Sequence, residues 1–142
     1  MASHYDPAKK CRVGTMDEKQ FHAESGKANG VCFAALIKAW QAAGGSLQWG
    51  AGGVGLRAEV GGKQVGICFL APAFGGKKDR IELSLTALGK QIGADRCAAL
   101  KASLQAAAGD RLTGATMVCV MEPGELPPAG QKALQKALLA VR

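Results

Sequence analysis

Two residues, Gly61 and Gly62, constrain this chain more than any others. They separate VGLRAEV, residues 54–60, from KQVGICFL, residues 63–70. On the first side Val54, Leu56, Ala58 and Val60 alternate with Gly55, Arg57 and Glu59, the period of two that a strand imposes on its faces. A two-residue hairpin turn needs positive φ at both central positions, which a Gly-Gly pair supplies without steric cost. The turn then sets a register: Val60 opposite Lys63, Ala58 opposite Val65, Leu56 opposite Ile67 and Val54 opposite Phe69. Beyond the pair next to the turn, every partner is apolar on both sides. Alternation and turn chemistry therefore predict one hairpin with one buried face.

The rest of the chain supplies what that face packs against. Val31, Phe33, Leu36, Ile37 and Trp40 recur at helical spacing over residues 31–43, and Gly44-Gly45 stops the helix. After the loop APAFGGKKD, Arg80 to Leu85 alternates again, with Ile81, Leu83 and Leu85 inward and Arg80, Glu82 and Ser84 outward. A short helical turn follows over 87–92. Asp95 is placed to cap a helix over 96–108, with Cys97, Leu100, Leu104 and Ala107 as its apolar stripe. Residues 116–121 read as a strand, and Pro127-Pro128 opens a last helix carrying Leu134, Leu138 and Val141. The expectation is an α+β fold: an antiparallel sheet of about four strands, in the order α-β-β-β-α-β-α, with helices packed mainly on one face.

The length of 142 residues suits one domain. Residues 1–28 are polar and without sustained period, which predicts a flexible or loosely docked arm ahead of a single domain over 29–142. The five cysteines (Cys11, Cys32, Cys68, Cys97 and Cys119) are widely spaced, and four lie in apolar segments. That is the usage of free thiols in a reducing compartment. With no apolar leader and no run long enough for a membrane span, the expectation is a cytoplasmic chain without a membrane partner.

The chain also contains GAGGVG, Gly50 to Gly55, a literal G-x-G-x-x-G. A dinucleotide fingerprint works because its glycines stand between a strand and a helix, so that the helix N-terminus faces the pyrophosphate. Here the glycines run into an alternating strand instead. The expected role is a bend or bulge entering the hairpin, and no cofactor is assigned.

Two regions carry chemistry. Phe74, Gly75, Gly76, Lys77, Lys78 and Arg80 combine flexible glycines, three cations and one aromatic, the ingredients for gripping a nucleic-acid backbone, with Lys9 and Lys10 as further phosphate contacts. The second region is the sheet face opposite the core, with Gly55, Arg57, Glu59, Gln64, Gly66 and Cys68 from the hairpin and Arg80, Glu82 and Ser84 from the third strand. Arg57, Glu59, Gln64 and Glu82 there would hold a ligand or seat a second copy. Arg57 and Glu59, two apart on one side, would form a surface ion pair. The final helix offers an apolar stripe that would dock on its own sheet or pair with a second copy.

The succession helix, three strands, helix, strand over roughly residues 31–121 is similar to the element order of the PD-(D/E)xK nuclease core. In that family an acid on the second strand, and an acid and a lysine on the third, hold a divalent metal. Here KQVGICFL carries no carboxylate, and the third strand reads Glu82-Leu83-Ser84 with Ser in the lysine's place. The resemblance therefore implies a degenerate relative without a complete active site. His4 and His22 fall in the N-terminal segment, no G-x-S-x-G occurs, and no metal-ligand spacing is present. No catalytic or metal residue is assigned.

A formal charge of +7 favours an anionic partner. The leading expectation is a non-enzymatic basic binding domain contacting nucleic acid through Lys77, Lys78 and Arg80. The alternative is a homodimer or small-ligand domain using the open sheet face.

Overall fold

The computed structural model describes residues 2–72, 79–108, 118–121 and 128–141. The elements run β1 (His4–Asp6), β2 (Cys11–Val13), α1 (Glu18–Glu24), α2 (Lys27–Ala42), β3 (Ser46–Trp49), β4 (Val54–Val60), β5 (Lys63–Ala71), β6 (Arg80–Ser84), α3 (Leu85–Ile92), α4 (Ala94–Ala108), β7 (Val118–Met121) and α5 (Pro128–Leu139). β3 to β7 form one antiparallel sheet in sequential order, with α3 and α4 inserted before the last strand, while β1 and β2 pair as a separate ribbon. The expected antiparallel sheet with flanking helices is what the chain forms, with β3 as an additional edge strand.

The core lies on one face of that sheet. Leu56, Ile67, Leu70, Ile81 and Leu83 pack with Trp40, Phe33 and Leu36 of α2, Leu100 and Leu104 of α4, and Leu138 and Val141 at the end of the chain. Trp40 is fully buried, and its indole N–H donates to the Arg57 carbonyl at 2.8 Å, so the largest core side chain has no unsatisfied donor. The stripe on α5 is thus used inside its own domain. Asp95 lies within the first turn of α4, two residues further in than the cap position at Gly93.

The hairpin turn has the expected positive φ, +59° at Gly61 and +81° at Gly62. Register follows the prediction as far as Arg57 opposite Gly66, then departs from it. A β-bulge places Leu56 opposite Cys68, Gly55 opposite Phe69 and Val54 opposite Leu70, leaving Ile67 as the extra residue of β5. The physical reason is burial: Ile67, Cys68 and Leu70 all enter the core, which strict alternation would forbid. Cys68 consequently sits on the core face, and Phe69 replaces it on the open one.

The N-terminal segment is not a loose arm. Met16 and Phe21 are fully buried in the main core, and the Phe21 ring stacks edge-on against Trp49. Asp17 caps α1 by accepting from the Gln20 amide at 2.7 Å. Arg12 pairs with Glu24, while Gln20 bridges the Ser3 carbonyl and Glu24. Two apolar anchors suffice because these polar contacts hold the intervening chain.

The GAGGVG run is what this segment docks onto. It joins β3 to β4, with the Gly50 amide donating to the Gly53 carbonyl at 2.9 Å. The Gly50 carbonyl accepts from the Met16 amide at 2.9 Å, and the Ala51 carbonyl accepts from the Ser3 hydroxyl. Gly53 has φ +152° and touches β5 so closely that a Cβ would lie 2.1 Å from the Leu70 carbonyl oxygen. Gly53 thus serves close backbone contact, and the run lies between two strands rather than before a helix.

Candidate functional site

The open face of the sheet centres on Arg57. Its Nη1 donates to Gln48 Oε1 at 2.5 Å and its Nη2 to the Gln64 carbonyl at 3.1 Å, while the Ser46 hydroxyl donates to Gln64 Oε1 at 3.2 Å. Two of the five guanidinium N–H groups are thereby engaged, which fixes the plane of the fork without neutralising its charge. The ion pair expected between Arg57 and Glu59 is replaced by this arrangement. Among the described residues this face carries an ion pair between Arg80 and Glu82, the Arg80 Nε donating to the carboxylate.

Around Arg57 the surface is hollow. A shallow depression of about 330 Å³ is lined by residues including Gln48, Gly55, Arg57, Gly66, Phe69 and Glu82. A second, of about 210 Å³, shares Arg57, Gly66, Ile67 and Ser84 with the first and is walled by Ala87, Leu88 and Gln91 of α3. The hollow has two causes. Gly66 contributes no side chain, and a Cβ there would meet nothing within 4 Å. In addition, β6 pairs with β5 only from Phe69 to Ala71, and the chain turns into α3 after Ser84.

Arg57, Gln64 and Glu82 are thus brought to one surface, with Glu59 exposed beside Gln64 across the β4–β5 ladder. Gln48 and Phe69 complete that surface and were missed from sequence. Gln48 lies on a strand only four residues long, and Phe69 changes face at the bulge. Phe74, Lys77 and Lys78 lie outside the described residues. Lys9 and Lys10 are exposed in the turn of the separate ribbon, where the Asp6 carboxylate accepts from the Ala8 amide at 2.9 Å.

Titratable groups behave as their surroundings dictate. Burial pushes the Cys68 thiol up to about 12 and the Cys32 thiol to about 11, so both stay protonated at neutral pH. The Arg12 guanidinium, hydrogen-bonded to Glu24, holds that carboxyl below its ordinary value despite partial burial. Among the described residues, no group of three His, Cys, Asp or Glu is placed to hold a metal, and no helix is long and apolar enough to cross a membrane.

Comparison with known proteins returns no match to a family model, a curated protein or a solved structure.

Proposed function

We propose that the chain is a non-enzymatic binding domain that takes an anionic group on the open face of its sheet, at Arg57. The observation that carries this reading is a guanidinium fixed by two neutral acceptors over a strand bared by Gly66, at the junction of two depressions. A fixed fork loses little freedom when it binds, and its in-plane geometry suits carboxylate or phosphate oxygens. Titration of the ¹⁵N-labelled protein with sodium acetate and with inorganic phosphate tests it. Shifts of the Arg57 side-chain resonance and the Gly66 amide are expected, and they should vanish in Arg57→Gln. Shifts confined to other cations would overturn the reading.

A second reading is favoured by the net charge of +7. Here a nucleic-acid backbone is held by Lys77, Lys78 and Arg80, with Phe74 stacking and Lys9 and Lys10 assisting. Replacing Lys77 and Lys78 by Ala should lower affinity for single-stranded DNA and reduce the salt slope by about 1.4. An unchanged slope would exclude that loop.

A further inference from the structure

The second depression has a feature that a small anion would leave unused, a stretch of the β5 backbone edge that no strand among the described residues pairs. In a two-residue hairpin the closing pair, Val60 and Lys63, exchanges both backbone hydrogen bonds, and the next pair to do so is Ala58 and Val65. The amides and carbonyls of Gln64 and Gly66 therefore point away from β4. Two contacts agree with this phase. The Arg57 carbonyl, directed to the opposite side of the hairpin, is taken by Trp40, and the Gln64 carbonyl is reached by Arg57 Nη2. On that outer side β6 has already left the ladder, and Ala87, Leu88 and Gln91 of α3 form the facing wall.

We propose that the outer edge of β5 at Gln64–Gly66 receives the C-terminal end of an extended peptide. The segment adds as a short strand in the groove beside α3, and its terminal carboxylate meets Arg57. The inference rests on the reading of Arg57 as an anion site and names the partner of that site. Three observations select this occupant. The Gln64 N–H and the Gly66 N–H and C=O recur at the spacing of a β-ladder, which an extended backbone satisfies. The fixed guanidinium requires an acid at one end. The cavities, about 210 and 330 Å³, are near the lower limit of small-ligand pockets, roughly 300 Å³, and so suit a chain end rather than a long strand. A second copy pairing by the same edge about a two-fold axis would bring Arg57 and Lys63 of each copy toward the other's, and like charges disfavour it.

A library of random heptapeptides displayed with free C-termini tests the proposal on the full chain. Enrichment of peptides by the protein is expected. The best peptide, synthesised, should bind about ten- to a hundredfold more tightly as the free acid than as its C-terminal amide. On binding, the Gln64 and Gly66 amides should gain protection from hydrogen exchange, while Phe69 and Leu70, already paired with β6, should not change. Arg57→Gln should lose the distinction between acid and amide. Ala87→Glu, at an exposed position on the groove wall, should fold normally and bind at least tenfold more weakly. If acetate reaches Arg57 but no peptide is enriched, or protection appears at another strand, the peptide proposal falls and the anion site stands. If acetate leaves Arg57 untouched, both fall. Displacement of the peptide by single-stranded DNA with equal protection at Gln64 and Gly66 would also overturn it, because nucleic acid has no β-strand backbone to pair.

Discussion

Two glycines on opposite sides of the same hairpin have opposite surroundings. At Gly53 a Cβ would strike the Leu70 carbonyl, and the turn around it is covered by the N-terminal segment through Met16 and Ser3. At Gly66 a Cβ would meet open space, and the backbone edge beside it is not paired by β6. The first glycine is there because protein is too close. The second leaves a hollow that no described side chain fills. A glycine-rich sequence therefore holds two kinds of information, and only the neighbours across the sheet separate them.

The largest effect should come from testing the crowded side. Gly53→Ala combines an unfavourable φ with a backbone clash, and a loss of about 4 kcal/mol or more is expected in chemical denaturation. A loss below ~1 kcal/mol would mean that the covered turn yields easily and that the contrast is false.

A smaller effect concerns what covers that turn. The Glu24 carboxyl has a lowered pKa, chiefly through its hydrogen bond from Arg12, with Gln20 adding to it against the desolvation of burial. A depressed carboxyl pKa contributes stability that is present above the ordinary value of 4.5 and is lost as pH falls through the folded-state value. Wild type should therefore exceed Glu24→Gln in stability at pH 7, and the gap should narrow as the pH falls below 4.5. A gap independent of pH would assign the Glu24 contribution to packing rather than charge.

The smallest expected effect is at the open side. Gly66→Ala should change stability by no more than about 0.5 kcal/mol, since the added methyl group enters free space. A loss comparable to that at Gly53 would erase the distinction on which the candidate site rests.

The sequence was informative where a short-range rule had no competitor. The Gly61-Gly62 turn dictated register through Arg57 and Gly66, so Arg57, Glu59 and Gln64 fell on the expected face. It was silent at Ile67-Cys68, where two adjacent apolar residues fit a bulge as well as an alternation with one mismatch. Phe69 was lost from the open face for that reason. β3 escaped notice because SLQW is short and lies between glycine-rich stretches. The docking of residues 2–24 escaped because Met16 and Phe21 are isolated apolar residues among polar ones, with no period to announce them. The hollow itself depends on where β6 ends, a tertiary fact with no local signature.

The bulge at Ile67 has one more consequence. It divides β5 into two lengths that obey opposite parity rules, with odd-numbered residues inward at Val65 and Ile67 and even-numbered residues inward at Cys68 and Leu70. Removing Ile67 would restore a regular ladder, with Val65, Cys68 and Leu70 still inward and Gly66 and Phe69 still outward, at the cost of one buried side chain. One supernumerary residue thus adds a side chain to the core while the open face keeps its order, so the change of parity along β5 is a gain in packing rather than a turning-over of the sheet.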